Sequence, residues 1–349
     1  MLSNSDLAEL LAREAEQESG ILVRAYRRAA RSAFLWPEQV ADLIAQNRPL
    51  SELRAIGPFI TKRIQRWIDN PPKQKLRPPI IRRDFLALAD ARALLKKKPA
   101  WSKQLRGDLQ MHTRYSDGSG SIAEMADAAR QRNYQYIAIT DHSKGLKIAG
   151  GIDEARLAKQ RAEIAKTNAR RHNSVTVLAS IEMNLNPRGE GDMDPKALAK
   201  LDIVLGSFHS VLRIKHDQTV RYLSALRNPD IQTLGHPRGR IYNYRIGLKA
   251  DWSRVFSEAA KLDKAVEIDC YPDRQDLNLA LLKIAKREGC RISLGTDAHH
   301  PWQLEFIELG LAAALKANIP ADRIINFMSI SELKSWVARV RARKSRRKR

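Results

Sequence analysis

The sequence contains little cysteine, no long apolar run and few acidic residues, and each shortage excludes a class of protein. Two cysteines in 349 residues cannot build a disulfide framework, so a reducing, cytoplasmic setting is expected. No apolar stretch approaches the ~18 residues of a membrane span, and the first residues lack the features of a signal peptide. The hydrophobic fraction of 43% nevertheless supports a folded core, which excludes a disordered chain.

The shortage of acids leaves the chain strongly basic. It has 39 Asp and Glu against 62 Lys and Arg, a net charge of +23, and a pI near 10.2. Residues 339–349 hold eight of the basic residues and no acid, and subtracting those eight charges from +23 leaves +15. Excess positive charge favours a phosphate backbone through counterion release, so DNA is the expected partner. For residues 339–349 alone, nonspecific polyanion binding is the alternative.

Histidines stand where short apolar runs end. Five of the eight histidines follow such runs, and a sixth run, residues 175–181, delivers Glu182 instead. Histidine and carboxylate bind zinc, manganese and iron, and their repetition at strand ends predicts one shared rim. Asp297 and His299 have the spacing that places two side chains on one face of a strand. The predicted metal-binding residues are His112, Asp117, His142, Glu182, His209, His236, Asp297 and His299.

Strand and helix patterns alternate from residue 105 to residue 335. Continuous apolar strands between helices are typical of a parallel sheet that is covered on both faces. Side chains at six strand ends converge better on a barrel than on an open sheet, and barrel chemistry lies at the C-terminal rim. We therefore predict an α/β barrel for residues 105–335, preceded by a helical domain (1–70) and a Pro/Lys-rich linker (71–104), and followed by a basic tail (336–349).

The helical domain contains one stretch with a specific prediction. Residues 50–64 are expected to form a short helix, a tight glycine turn and a second helix, which resembles a helix-hairpin-helix. Such a turn can present backbone N–H groups to a phosphate, so Gly57, Lys62 and Arg63 are candidate DNA contacts. Ala55 replaces the usual first glycine and strains the turn if that position needs positive φ. The alternative is a helical bundle in which Gly57 only ends a helix.

The ordered motifs of residues 105–335 resemble the PHP (polymerase and histidinol phosphatase) phosphoesterase family. The match is closest to the PHP domain of bacterial family X DNA polymerases, and residues 7–68 resemble the N-terminal domain of those polymerases. The polymerase core has no counterpart, because residues 70–105 leave no room for it. The stretches that carry the resemblance are Gly107-Asp108-Leu109-Gln110-Met111-His112-Thr113, Thr140-Asp141-His142-Ser143, Gly235-His236-Pro237 and Glu267-Ile268-Asp269-Cys270-Tyr271-Pro272-Asp273-Arg274.

The resemblance implies a distorted (β/α)₇ barrel with up to three divalent ions, manganese by expectation and zinc or iron as alternatives. Such ions lower the pKa of bound water to about 7 and neutralise a phosphate, which suits phosphoester hydrolysis. Glu182, His209 and His236 are the implied catalytic residues. The implied ligand sets are His112, Glu182 and Asp297 for one ion, Glu182, His209 and His236 for a second, and Asp117, His142 and His299 for a third.

Gln110 departs from the family, most of which has histidine at this position. A carboxamide is a poor ligand for borderline metals, so either the first site is weaker or Gln110 only forms hydrogen bonds nearby. Basic residues after strand ends are candidate phosphate ligands, with solvated loop charge as the alternative: Arg114, Lys144, Arg213, Arg238, Arg240 and Arg274. His172 and His216 are expected to be structural. His300 follows His299 and is expected to point away from the metal-binding residues.

The function favoured by these features is a metal-dependent phosphoesterase that acts on DNA ends or abasic sites in DNA repair. The resemblance implies 3′–5′ exonuclease, 3′-phosphatase or abasic-site cleavage. One alternative is a small-molecule phosphomonoesterase, which has no need of the helical domain. A second is a non-catalytic DNA-binding protein, for which Gln110 is the supporting feature. No glycine-rich nucleotide loop is present, so a nucleotide cofactor is not expected. Because no apolar run is long enough to span a membrane, a membrane is not an expected partner either.

Overall fold

The helical region forms its own hydrophobic core. The computed structural model describes residues 1–74, 76–170 and 174–347, and His172 lies outside these ranges. The core includes Leu7, Leu11, Tyr26 and Trp36, all at most 1% exposed. The helices are α1 (Asn4–Gln17), α2 (Gly20–Ser32), α3 (Val40–Ala45) and α4 (Pro58–Asp69).

The predicted hairpin turn contains the strain expected at Ala55. A 3-10 turn at Leu50–Glu52 precedes it, and α4 begins after Gly57 with Pro58 at its first position. Ala55 has a φ of +59°, in the left-handed region that favours glycine. Gly57 is exposed and has a φ of −97°, so its role here is that of a helix N-cap. Ala55 thus adopts a backbone conformation that is less favourable for alanine than for glycine.

The barrel is built from parallel strands in seven positions, as predicted. Hydrogen bonds join the strands in the orders β1-β2-β3 and β4-β5-β6-β7-β8. The segments β3 and β4 follow one another along a single strand position, and the main-chain bridge between His142 and Glu182 continues the pairing across the break. The strands are β1 (Gly107–Asp108), β2 (Tyr136–Ile139), β3 (Thr176–Ala179), β4 (Glu182–Asn184), β5 (Leu205–Ser207), β6 (Thr233–Leu234), β7 (Ala265–Asp269) and β8 (Arg291–Gly295).

The first and last strands close the barrel. The Leu109 N–H donates to the Leu294 carbonyl at 3.3 Å, and Met111 and Ala298 form a parallel bridge. Helices cover the outside of the barrel. These are α5 (Leu88–Lys96), α6 (Pro99–Ser102), α7 (Ile122–Gln131), α8 (Glu154–Asn168), α9 (Pro195–Leu198), α10 (Thr219–Arg227), α11 (Trp252–Leu262), α12 (Leu279–Arg287), α13 (Ile307–Lys316) and α14 (Ile330–Arg347).

The second half of the predicted linker (71–104) is part of the barrel. Helix α5 packs against α13, and Leu88, Ala91 and Leu95 join the main hydrophobic core of the barrel. Trp101 donates its indole N–H to the Leu311 carbonyl at 3.1 Å. The expectation of a linker is corrected here, because an apolar helix face lies among the prolines and lysines that suggested one.

The predicted basic tail (336–349) begins inside a packed helix. In α14, Trp336 is fully buried, and Leu333, Val337 and Val340 are at most 5% exposed. These side chains pack with Tyr136 and other residues near the N-terminal ends of the strands, so α14 covers the end of the barrel opposite the strand termini that carry the histidines. The expected boundary at residue 336 therefore cuts through a structural helix.

The helical region is docked on the barrel. Tyr242, in the loop after β6, packs its ring against Phe34 and Phe85 at centroid distances of 4.9 and 5.3 Å. Arg82 is buried and pairs with Glu9 at 2.8 Å and with Glu16. Because the loop after β6 begins at His236, the helical region lies on the histidine-bearing side of the barrel. Among the described residues, no helix has the length and apolarity needed to traverse a membrane.

Candidate metal centre

Glu182 lies in the middle of a cluster of imidazoles at the C-terminal ends of the strands. Its carboxylate is fully buried, with Oε1 2.7 Å from His236 Nε2 and 3.2 Å from His209 Nε2. Its other oxygen, Oε2, lies 3.0 Å from His142 Nδ1 and 3.5 Å from His112 Nε2. Four imidazoles from four different strand ends thus contact one carboxylate.

Two aspartates complete the cluster. Asp297 Oδ1 is 3.0 Å from His112 Nε2, and Asp117 Oδ2 lies 3.4 Å from His299 Nε2 and 3.6 Å from His142 Nε2. Asp117 belongs to the first loop, after β1, and this loop brings its carboxylate to the rim. All eight residues predicted to bind metal are therefore brought together.

Electrostatics keep the carboxylates of this cluster ionised. Burial alone would raise the pKa of Glu182, but His142, His209 and His236 lower it well below its usual value. Burial lowers the pKa of His112, and the neighbouring His142 and His299 lower it further. A neutral His112 and an ionised Glu182 are the forms that bind a divalent cation.

Hydrogen bonds fix the orientation of two rings. His299 Nδ1 donates to the Asp297 carbonyl at 2.7 Å, which leaves Nε2 as the acceptor nitrogen facing the cluster. His209 Nδ1 donates to Oδ1 of Asn184 at 3.1 Å, and its Nε2 faces Glu182. Partners of this kind orient metal-binding histidines and raise their basicity.

Gln110 contacts an acid rather than the imidazole cluster. With its nitrogen facing Glu267, the amide donates hydrogen bonds of 2.9 and 2.7 Å to Oε2 and Oε1 of that residue. The same Oε2 accepts the His236 backbone N–H at 2.8 Å. Burial raises the pKa of Glu267 well above its usual value, and Asp269 raises it further. Of the two interpretations of Gln110, the contacts favour the one in which it only forms hydrogen bonds.

The donor atoms of the cluster fit divalent metal ions. Within the described ranges, four buried donor atoms form no well-directed hydrogen bond, although His142 Nδ1 and His209 Nε2 lie 3.0 and 3.2 Å from Glu182 oxygens: His209 Nε2, Glu182 Oε2, His112 Nδ1 and His142 Nδ1. Buried polar atoms without partners are costly, and coordination of a cation satisfies them. Three sets have donor atoms within 4.8 Å of one another: His112, Glu182 and Asp297; His142, Glu182 and His209; and His112, Asp117, His142 and His299.

These sets only partly follow the implied ligand sets. The first is the expected one. In the second, His142 rather than His236 is grouped with Glu182 and His209, although His236 contacts Glu182 directly. His112 joins the third set as well, so His112 and His142 each belong to two groups. Oxygen and imidazole donors of this kind suit divalent ions of the zinc and manganese type.

A comparison with known families decides the identity of the barrel. The family model described as "PHP domain" matches residues 108–298, which is more than half of the chain. The chain belongs to the PHP family. This confirms the resemblance found in the sequence, and it makes the barrel a metal-dependent phosphoesterase domain.

Curated relatives agree with this assignment. A "DNA polymerase/3'-5' exonuclease PolX" from Bacillus subtilis (strain 168) is 36% identical over 68% of this chain, and the match spans only 41% of that protein. A "Probable phosphatase PBPRB2022" from Photobacterium profundum is 32% identical over 65% of this chain and 91% of its own length. Among solved structures, a histidinol phosphate phosphatase from Lactococcus lactis is 19% identical, covers 61% of this chain and 94% of its own, and has a TM-score of 0.46.

Arg274 is the predicted phosphate ligand that reaches the PHP metal centre. Its Nη2 lies 3.5 Å from Asp297 Oδ2, and its Nε lies 3.7 Å from Asp269 Oδ2. Its side chain is 29% exposed, so it borders the opening of the centre. Lys144 instead pairs with Glu154 at 2.7 Å on the outer side. Arg114, 64% exposed, contacts Glu124 at 3.3 Å.

Two predicted DNA contacts have structural roles instead. Arg240 is buried, covers the Phe85 ring at 3.7 Å, and donates to the carbonyls of Arg274 and Asp84 at 2.8 and 2.9 Å. Arg63 pairs with Glu14 within the helical region. Both guanidinium groups are held by the protein itself and are not free for phosphate.

The remaining predicted residues lie nearer to solvent. Lys62 is exposed on α4, and His300 and His216 are exposed outside the imidazole cluster. Arg238 is half-buried and donates to the Ile246 carbonyl at 2.8 Å. Sequence reasoning missed Asn184 and Asp269, although each stands two residues after an acid, Glu182 and Glu267, on the same strand face. That spacing was the available signal.

Proposed function

We propose that this protein is a metal-dependent phosphoesterase that hydrolyses phosphoesters at DNA ends or abasic sites. The observation that carries the proposal is the position of the helical region, which lies beside the loop that follows His236. The helical region and the metal centre therefore face the same side of the molecule. A net charge of +23 supports a polyanionic substrate.

The chemistry belongs to the cluster around Glu182. Divalent ions, manganese by preference, would be held by the three donor sets and supply Lewis acidity to phosphoryl oxygens and acidify water. Arg274 is placed to bind a phosphate oxygen beside Asp297, because its guanidinium borders the opening. The orientation of His209 by Asn184 and of His299 by the Asp297 carbonyl keeps both rings in a fixed tautomer before substrate arrives.

The substrate class is tested with matched DNA ends. Purified protein is incubated with labelled duplexes that carry a 3′-phosphate, a 3′-hydroxyl or an abasic site, each with Mn²⁺, Zn²⁺ or Mg²⁺. We expect metal-dependent product from at least one duplex, and no product from the Glu182→Ala variant. Absence of product from every duplex would refute the proposed function.

A small-molecule phosphomonoesterase is the second candidate. It is favoured by the relative from Photobacterium profundum, a probable phosphatase, because the match spans 91% of that protein and 65% of this chain. Turnover of free phosphomonoesters, compared with turnover of the duplexes at equal enzyme concentration, separates the two candidates. The DNA proposal expects the duplexes to have the higher kcat/KM.

A further inference from the structure

Helix α2 carries a row of arginines on one face. Arg24, Arg27, Arg28 and Arg31 follow the spacing i, i+3, i+4 and i+7, and all four are exposed. The helix contains no acid, and within the described parts of the chain none of the four forms an ion pair. At 1.5 Å per residue the row spans ~10 Å, about the length of three stacked nucleotides at ~3.4 Å each.

A cleft connects this arginine row to the barrel. It has a volume of about 670 Å³ and lies between α1 and α2 on one side and residues 241–244 on the other. Arg27 and Arg31 line it from α2, and Tyr244 and Asp273 line it from the barrel. Glu16 also lines it, but this acid is already paired with Arg82.

The cleft leads to the metal centre. Asp273 lines the cleft, and Nη2 of the next residue, Arg274, lies 3.5 Å from Asp297 Oδ2. One end of the cleft is thus a single residue away from a side chain that contacts the metal centre. A ligand that lies along the arginine row therefore enters at the edge of the centre.

An aromatic platform stands at this edge. The Tyr244 residue is 58% exposed, and Arg213 covers one face of its ring at 4.6 Å. The loop of Tyr244 begins at His236 and the loop of Arg213 begins at His209, so the platform is built on two metal-ligand loops. Arg245 is the next residue in the chain. The exposed ring thus has one guanidinium group over a face and a second arginine as its chain neighbour.

We infer that this cleft binds the single-stranded end of a DNA substrate, with the phosphates along the arginine row of α2 and a terminal base stacked on Tyr244. The inference rests on the proposed function, and it defines the substrate as an unpaired strand. Phosphate-binding cations beside an exposed aromatic ring are the elements from which single-strand sites are built. A base inside an intact duplex has no free face for Tyr244, so covalently closed circular duplex DNA, which has no ends, lacks this contact.

The test measures binding without cleavage. A fluorescein-labelled oligothymidine of twelve nucleotides is titrated with the full-length protein in EDTA, and binding is followed by fluorescence anisotropy. Tyr244→Ala should weaken binding about tenfold, because one stacked base contributes enough for a tenfold change. Tyr244→Phe should bind within twofold of the wild type, since the ring is retained.

The arginine row is tested separately, on a different element. The double variant Arg27→Ala, Arg31→Ala should weaken binding, and it should lower the slope of log affinity against log salt by about 1.4, as expected for two lost phosphate contacts to a single strand. The control is Arg130→Ala, an exposed arginine on the outer face of α7 whose ion pair is with Asp127 at 3.5 Å. This control should leave affinity and salt slope unchanged.

The outcomes distinguish the inference from the proposed function. The inference would be overturned if Tyr244→Ala and the double arginine variant both bound with wild-type affinity. Both proteins must melt at the wild-type temperature for this comparison. If Tyr244→Ala lost as much affinity for covalently closed circular duplex DNA as for single strands, the inference would also be overturned. Failure of the wild type to cleave any DNA refutes the proposed function only, because binding in EDTA still reports on the cleft.

Discussion

The Gln110 amide donates to both oxygens of Glu267, in a buried pair behind the metal centre of this PHP domain. The Gln110 carbonyl accepts the Asp297 N–H at 3.1 Å, and Gln110 stands two residues before His112 on the same face, so Gln110→His should add an imidazole donor next to both residues. We expect metal affinity to rise about tenfold or more, because imidazole is a better ligand for borderline metals than a carboxamide. Competition with a chromophoric chelator measures it.

The Gln110→His result needs a control for the loss of the Glu267 contact. Gln110→Met removes the hydrogen bonds to Glu267 without supplying an imidazole, so it should not raise metal affinity. If both variants bind metal as the wild type does, Gln110 is not at a metal position and the comparison with the family residue fails.

The buried acid Asp108 should make stability depend on pH. Burial raises the pKa of Asp108 to about 7, against hydrogen bonds from Thr296 and the Gln110 N–H that lower it. Because the folded protein holds this proton more tightly, the associated stability is full below pH ~4 and is lost as the pH rises to about 7. The Asp108→Asn variant lacks this titration.

The measurement is urea unfolding of the metal-free protein at pH 5 and pH 8. We expect the stability of Asp108→Asn relative to the wild type to increase between these values by roughly 2.5 kcal/mol, since part of the linkage is already lost below pH 5. The exposed Asp127→Asn change on α7 is the matched control and should show no such increase. A constant difference between Asp108→Asn and the wild type would mean that Asp108 stays ionised in the folded protein.

Arg82 should hold the helical region on the barrel. It is 6% exposed, pairs with the buried Glu9 and donates to Oδ1 of Asn243, in the loop after β6, at 3.1 Å. Arg82→Ala leaves Glu9 with only the partly exposed Arg13 as its ion-pair partner, so we expect a loss of about 2–3 kcal/mol in unfolding free energy. The neighbouring Arg83 is exposed, and Arg83→Ala should change stability by no more than about 0.5 kcal/mol. Equal unfolding free energies for the two variants, measured in denaturant, would contradict the docking role.

The C-terminal helix should contribute to barrel stability up to Val340. Trp336→Ala removes a fully buried side chain whose indole N–H donates to the Asp263 carbonyl at 2.8 Å. We expect a loss of about 3–5 kcal/mol in unfolding free energy. The exposed Lys334 lies on the same helix, and Lys334→Ala should by contrast leave the melting temperature nearly unchanged. A wild-type melting temperature for Trp336→Ala would show that α14 is only a tail.

The positions of the strand ends, and of the side chains that follow them, could be predicted from the sequence. Seven of the eight predicted metal-binding residues follow an apolar run that ends in His, Glu or Asp, Asp117 in the first loop being the exception, and the parallel arrangement brings the strand ends together. Glu182 and Asp297 were found in this way. The order of the strands follows chain order, so no long-range pairing had to be guessed.

The contacts of individual arginine side chains could not be predicted from the sequence. Arg240 follows a strand end just as Arg274 does, yet its guanidinium is held by residues 83–85, more than 150 positions away in the chain. For α14, the apolar residues 333, 336, 337 and 340 do have helical spacing, but the eight basic residues of 339–349 dominated the composition. The charge pattern therefore suggested a tail where a packed helix lies.

The most direct test of the metal centre is anomalous diffraction from crystals soaked in Mn²⁺, with the Glu182→Gln variant as control. The wild type should show anomalous peaks between Glu182 and the surrounding imidazoles, within bonding distance of His112, Asp297 and His209. The variant should lose the peaks that Glu182 bridges, with about a hundredfold loss of metal affinity. Wild-type crystals without an anomalous peak in this cluster would contradict the account.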